Sequence, residues 1–358
     1  MPSPAARTTH RRICILRLSA IGDVAHTVAV VRRLQDTFPE AHLTWIVGRI
    51  EAAVAALVPE IEVVVVDKRR PLHELLRLRR LFRGKPFDEL LHMQIAFRAN
   101  LLSLGVPARR RWGFDSVRAK EGHSWVVNQQ VPPAAPPGEH VLDGLMRFPL
   151  ALGAQPRAPR WDLALPAEAL AWVEQAIAGD RPILAVNGCA SRAVRDWQPE
   201  RYAAVARHAM DTHGLQVVLC GGPAERERAM SRVVAQALGR PVIDLVGRTT
   251  LAQLLAVLKR STALISPDSG PVHLATAVGT PVIGLYGVSN VRRTGPAVDA
   301  QWCVDRRDAA ARRFLGRPAS ELRWSEPVPG GMDLIETADV IERLDALMRH
   351  VGTERRRS

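Results

Sequence analysis

The sequence predicts an α/β protein built from two Rossmann-like domains facing each other across a cleft. Three observations carry that expectation. Apolar runs of strand length alternate with segments of helical periodicity. A proline-rich break near the middle interrupts the alternation, which then restarts. The chain's 358 residues exceed one ordinary α/β core and suit two.

The first half opens on residues 13–18, an apolar strand, then a tight loop over 19–23 holding Gly22. Residues 24–38 carry apolar side chains at helical spacing and stop before Pro39. Strands follow at 42–47, 61–66 and 90–93, with helices at 51–57 and 72–82, the second of them basic. The prolines of 132–138 require a loop, and 141–152 reads as a helix. Residues 153–166 are broken again by three prolines around Trp161. The division is therefore expected as 1–160, 161–332 and a terminal helix with basic tail at 333–358.

In the second half strands are expected at 182–187, 215–220, 242–245, 262–266 and 281–286. Helices are expected at 199–213, 225–238, 251–259, 271–278 and 333–350, with a polar tail over 352–358. Ligands of doubly wound sheets bind outside the carboxyl ends of the strands. The loops to examine are thus 19–23, 188–197, 221–223, 246–250 and 267–270.

The net charge of +13 comes almost wholly from arginine, since lysine occurs only at 68, 85, 120 and 259. Such a surplus favours anionic partners: phosphates, nucleic acid or an acidic membrane face. Codon bias toward arginine explains part of it equally well. Cys14, Cys189, Cys220 and Cys303 lie far apart, without metal-ligand spacing, which fits buried thiols in a reducing compartment. The first apolar run is short and holds Arg17, so it is no signal peptide, and no run approaches the length of a membrane span. A soluble cytoplasmic protein is expected, at most peripheral to a membrane.

Three segments can carry chemistry. Pro267-Asp268-Ser269-Gly270-Pro271-Val272-His273 follows a strand and opens a helix. Pro271 suits a first helical turn, Gly270 admits close approach, and the first-turn amides make a phosphate site to which Ser269 adds a hydroxyl. An ordinary turn capped by Asp268 or Ser269 has the same sequence. In Ser19-Ala20-Ile21-Gly22-Asp23, Asp23 can serve as a general base on a hydroxyl or simply as a helix cap; His26 shares its helical face. In 187–197, Arg195 can neutralise a departing diphosphate or be a solvated surface charge, and Trp197 can anchor the next helix. No G-x-G-x-x-G follows the first strand, and no P-loop or D-x-D pair occurs. A nicotinamide fold is disfavoured, and a transferase working without metal or other cofactor is favoured.

Taken in order, these segments resemble one family. The S-x-x-G-D-x-x-H-T of 19–27, Trp112-Gly113-Phe114-Asp115, Gly221-Gly222-Pro223, Val246-Gly247-Arg248-Thr249 and the D-S-G-x-x-H-L-A of 268–275 resemble the ADP-heptose:lipopolysaccharide heptosyltransferases, glycosyltransferase family 9 of the GT-B type. The similarity spans about residues 13–286 and is most like the members that add the first heptose. It implies an inverting transfer of heptose from ADP-heptose to an acidic Kdo–lipid A acceptor. It places the general base on Asp23 and the nucleotide-sugar contacts on Ser191, Asp268, Ser269, Gly270 and His273. Arg195 falls where the family usually has lysine, and Ala190 replaces one hydroxyl of a pair. The loop after Tyr286 lacks the proline and threonine often found there. The acceptor is expected on the N-terminal domain, with Ser19, Gly22, Arg98, Arg118 and Lys120. The basic helix of 72–83 and the run Arg109-Arg110-Arg111 are candidates for an anionic membrane face.

Two rival readings share parts of this pattern. A nucleotide-sugar epimerase uses the same architecture and needs no acceptor. A nucleic-acid-binding protein would suit the charge, but aromatics are only 5% and the arginines are dispersed, so no nucleic-acid partner is expected.

Overall fold

The computed structural model describes residues 10–134 and 138–355. They divide into two compact units: residues up to 134 with 142–164, and 138–141 with 165–355. The expected division after 160 falls four residues later, because Trp161 belongs to the first unit: its indole donates to the Ala25 carbonyl at 3.0 Å. The expected loop at 132–138 lies partly outside the described residues, as does the end of the tail.

The first unit runs β1 (Arg12–Leu16), α1 (Ile21–Thr37), β2 (His42–Gly48), α2 (Ala52–Ala55), β3 (Glu62–Val66), α3 (Pro71–Leu81), β4 (Phe87–His92), α4 (Phe97–Ser103), β5 (Ala108–Gly113), β6 (Gln129–Gln130) and α5 (Val141–Ala151). The second runs α6 (Ala167–Ala176), β7 (Ile183–Asn187), α7 (Pro199–His213), β8 (Gln216–Cys220), α8 (Glu225–Leu238), β9 (Ile243–Asp244), α9 (Leu251–Arg260), β10 (Ala263–Pro267), α10 (Gly270–Ala277), β11 (Val282–Tyr286), α11 (Val291–Thr294), β12 (Val304–Asp305), α12 (Arg307–Leu315) and α13 (Thr337–Arg355).

Among the described residues each unit holds one six-stranded sheet, and the strand pairs are parallel. The orders are β3-β2-β1-β4-β5-β6 and β12-β11-β10-β7-β8-β9. Counted from the first strand of each unit, these are the same order, 3-2-1-4-5-6, the doubly wound Rossmann arrangement. The order reverses between β1 and β4 in the first unit and between β7 and β10 in the second. A crevice opens at such a switch point, so the two strand-end loops there are the ones that position ligands.

The central strands of both sheets are apolar on both faces, as helix-covered parallel strands must be. Cys14, Leu16, Ile46, Val64 and Leu90 pack with Phe82 and Phe87, whose rings meet edge-on at 4.9 Å. In the second unit, Val186, Val217, Leu219, Ile265 and Ile283 share a core with Val340, Leu344 and Leu347 of α13. The terminal helix, expected as a separate segment, is thus part of the second unit's core. All four cysteines are buried and unpaired. Burial raises each thiol's pKa, that of Cys220 and Cys303 to about 12.

Several elements depart from the expectations, among them α6, α12 and the short edge strands β6 and β12, which the periodicity reading leaves out. Helix α4 is absent from the periodicity reading, since it is only seven residues long and lacks a side-chain cap. The run Arg109-Arg110-Arg111, expected to face a membrane, is part of strand β5. Arg110 grips the buried Glu89 carboxylate, which also accepts from Arg11 at 2.6 Å and the Trp112 indole at 2.8 Å. Arg111 donates to the Ser103, Val106 and Val126 carbonyls. Arg109 is exposed 3.5 Å from Asp88, and Arg110 keeps part of its side chain in solvent while it holds Glu89. Three arginines in a row look like a charged surface, but alternation along a strand sends neighbours to opposite faces, where each finds its own partners.

Candidate active site

In the first unit the site is built at the end of β1. Residues 17–20 form the loop, and α1 starts at Ile21, earlier than expected, so Gly22 and Asp23 lie inside its first turn. The neighbouring strand end holds this loop. Leu18 N–H donates to Gln94 Oε1 at 2.7 Å, and Gln94 Nε2 donates to Ser19 Oγ at 3.2 Å. Met93 N–H donates to the Leu16 carbonyl at 3.1 Å.

Asp23 occupies the third helical position. One carboxylate oxygen accepts the Ala20 amide at 3.3 Å and pairs with the Arg17 guanidinium. The side chain keeps 30% of its surface exposed. Asp23 therefore does what a first-turn carboxylate does for a helix, and it is also reachable from solvent at the switch point. The N-cap itself is Ala20, so Asp23 serves the helix start from the third position rather than as the cap residue. His26 is buried in α1.

In the second unit the ends of β7 and β10 meet through Asn187. Its Nδ2 donates to the Cys189 carbonyl at 2.8 Å, Ser266 Oγ at 3.0 Å and Ser269 Oγ at 3.1 Å. The two serine hydroxyls lie 2.8 Å apart. Ser269 sits at the N-cap of α10, but its hydroxyl, engaged in this way, makes no cap bond. Asp268 does not cap the helix either, being turned to Arg195. The simple capped-turn reading therefore fails here. Gly270 and Pro271 open the first turn, and His273 is buried one turn on.

Arg195 is not a solvated surface charge. Its guanidinium stands 2.9 Å from Asp268 Oδ2, and its Nε is buried with no hydrogen-bond partner among the described residues. Asp268 is itself buried and accepts from Thr294 Oγ1 at 3.2 Å. The cluster Arg195–Asp268–Thr294 borders the uncapped start of α10. One edge of the fork is spent on a carboxylate, leaving donors for an incoming anion. Trp197 is the helix anchor: its ring meets Tyr202 edge-on at 5.0 Å and its N–H reaches the Ile335 carbonyl at 3.0 Å.

The remaining expected residues separate. Ser191 is exposed in the loop after β7. Arg98, in α4, and Lys120, in the loop after β5, are exposed on the first unit, where Glu121 ties that loop to α4 by accepting the Phe97 amide at 2.6 Å. Arg118 is already engaged, paired with Asp115 and lying over the Phe114 ring at 4.8 Å. Sequence reasoning missed Asn187 as the organiser of the second site, and Thr294 and Arg226 beside it. Arg226 donates to the Ala190 carbonyl and pairs with Asp196, shaping the same loop. The one available signal was position: Asn187 ends a strand at the switch point.

Two sheets of Rossmann order, each gathering polar groups at its switch point, fit the two-domain GT-B glycosyltransferase class. The chain belongs to glycosyltransferase family 9, the heptosyltransferases, whose family profile matches residues 75–324. It is 38% identical over 339 residues to the lipopolysaccharide core heptosyltransferase OpsX of Haemophilus influenzae, covering 94% of this chain and 97% of that one. In fold it is similar to a glycosyl transferase family 9 protein of Veillonella parvula (TM-score 0.81, 20% identity, 95% of this chain and 98% of that one). It is also similar to the ADP-heptose lipopolysaccharide heptosyltransferase II of Escherichia coli (TM-score 0.74, 20% identity, 95% and 99%).

Proposed function

We propose that this glycosyltransferase moves heptose from ADP-heptose, with inversion, to the Kdo/heptose inner core of lipopolysaccharide, working in the cytoplasm. The observation that carries the donor half is the start of α10. There a helix N-terminus uncapped by side chains, the Ser269 hydroxyl and the Arg195 guanidinium occur together. Amide donors and a cation at one point suit a departing diphosphate. With Asp268 paired to Arg195, this donor set does the work a metal ion would do on the diphosphate, so no metal is required for transfer. Asp23 takes the proton of the acceptor hydroxyl. Ser19, Gly22, Arg98 and Lys120 then contribute to the acceptor side, with Arg118 shaping its loop.

The acceptor is lipid-linked, and the first unit has surfaces suited to an anionic membrane. Helix α3 exposes Leu72 and Leu76 beside Arg79, Arg80 and Arg83. The acceptor-side loop exposes Trp125 at 90% of its surface. Arginine beside exposed leucine and tryptophan is the composition of a surface-seated segment. No helix among the described residues is long and apolar enough to cross a membrane.

Calorimetry with ADP, UDP and NAD, with and without magnesium, tests the donor site. Selective ADP binding indifferent to magnesium, followed by heptose transfer onto Kdo–lipid A, is expected. Preference for UDP would overturn the donor assignment. Flotation with phosphatidylglycerol vesicles tests the surface: binding should fall with salt and with Leu72→Ser/Leu76→Ser, and be absent on phosphatidylcholine.

A further inference from the structure

We propose that His208, His213 and Asp345 form a divalent transition-metal site that fastens the terminal helix α13 to α7. Nothing in the transferase reading uses these residues. His208 Nε2 lies 2.7 Å and His213 Nε2 lies 2.6 Å from the same oxygen, Asp345 Oδ1. The three ligand atoms lie within 4.8 Å of one another, and among the described residues this is the converging group of metal-ligating side chains. The histidines come from the end of α7, and the carboxylate comes from a helix more than 130 residues further on.

The donor set specifies the ion. Two imidazoles and a carboxylate suit zinc, cobalt, nickel or copper and disfavour magnesium and calcium, which take oxygen ligands. Bonds of about 2.0–2.1 Å at tetrahedral or octahedral angles place ligands about 2.9–3.4 Å apart, so each histidine nitrogen has to move less than about an ångström from Asp345 Oδ1. The side chains are 25%, 18% and 28% exposed, which lets an ion enter without unfolding and leaves room for water to complete the coordination. Thr212 Oγ1 lies 3.4 Å from His208 Nδ1. A proton held there leaves Nε2 as the lone-pair nitrogen, the tautomer a metal requires.

The position assigns the role. His213 closes α7 just before β8 begins, at the amino-terminal edge of the sheet, whereas the donor site lies at the carboxyl ends of the strands. The ion would act on the seating of α13, whose Val340, Leu344 and Leu347 complete the core.

The test uses untagged full-length protein, stripped with chelator and desalted. Calorimetry with zinc chloride should show one saturable equivalent, cobalt(II) should develop visible d–d absorption, and zinc should raise the melting temperature. His213→Ala and Asp345→Asn should each weaken zinc at least tenfold and abolish the thermal shift, with ADP affinity unchanged. Absence of saturable zinc binding to the wild type, or unchanged binding to the H213A/D345N double variant, would overturn the site and leave a hydrogen-bonded clasp.

Discussion

Asp23 and Arg195 are each held by a residue of opposite charge, and the consequences differ. Asp23 shares its carboxylate between the Ala20 amide and Arg17, so its position is set before any acceptor arrives. Asp23→Asn keeps the shape and removes the base proposed for the acceptor hydroxyl. Turnover should fall about 10²–10⁴-fold with ADP affinity nearly unchanged, as pre-steady-state transfer and calorimetry would show. Arg195 faces a buried carboxylate. Arg195→Ala should weaken ADP at least tenfold, because the diphosphate then meets Asp268 unscreened. Adding Asp268→Asn should recover part of that loss, read by the same titration. The loops that hold these residues are legible in the sequence as strand ends. The pairing is not, since Arg195 and Asp268 are 73 residues apart and no local pattern links them.

Strands and helices were legible wherever burial is uniform. Segments such as Ile183–Asn187 and Ala263–Pro267 announce themselves as short apolar runs. Strand β5 does not, because its polar side chains are satisfied by partners from other elements. Glu89 shows why this matters. Burial alone would raise its pKa, yet hydrogen bonds from Arg110, Arg11 and Trp112 hold it below the usual carboxylate range. Glu89→Gln removes the charge that all three address and should lower unfolding stability by about 2–4 kcal/mol, measured by urea denaturation.

A second polar layer lies behind the loop of residues 114–123. Asn100 Oδ1 accepts from His92 Nε2 at 2.8 Å and from His123 Nδ1 at 3.2 Å, while His123 Nε2 accepts the Phe114 amide at 3.1 Å. Burial lowers the pKa of both rings, that of His123 from 6.5 to about 4. The unfolded chain therefore binds more protons than the folded one between these values. This contribution is complete above pH 6.5 and is lost as pH falls toward 4. Thermal melts should show stability falling across that window, and His123→Gln should flatten the fall.

At the scale of the molecule, the two units repeat one strand order without residue-level repetition, which is why the architecture could be read from alternation alone. The end of the chain could not be read in the same way. An amphipathic helix after an irregular stretch looks like an appendage, yet Val340, Leu344 and Leu347 are fully buried in the second core. Removing residues from 337 onward should cost about 5–9 kcal/mol from these three side chains alone, enough to abolish cooperative melting of that unit in calorimetry.

The burial of every thiol gives the folded chain a chemical silence that can be used as a clock. Cys14 lies in the first unit and Cys189, Cys220 and Cys303 in the second. A maleimide can reach them only during opening events, so the cysteine labelled in native buffer identifies the unit that opens. Peptide mapping of the adducts tells Cys14 of the first unit from Cys189, Cys220 and Cys303 of the second. The same background lets a single cysteine placed at the exposed Lys120 report on that loop without interference from the native thiols.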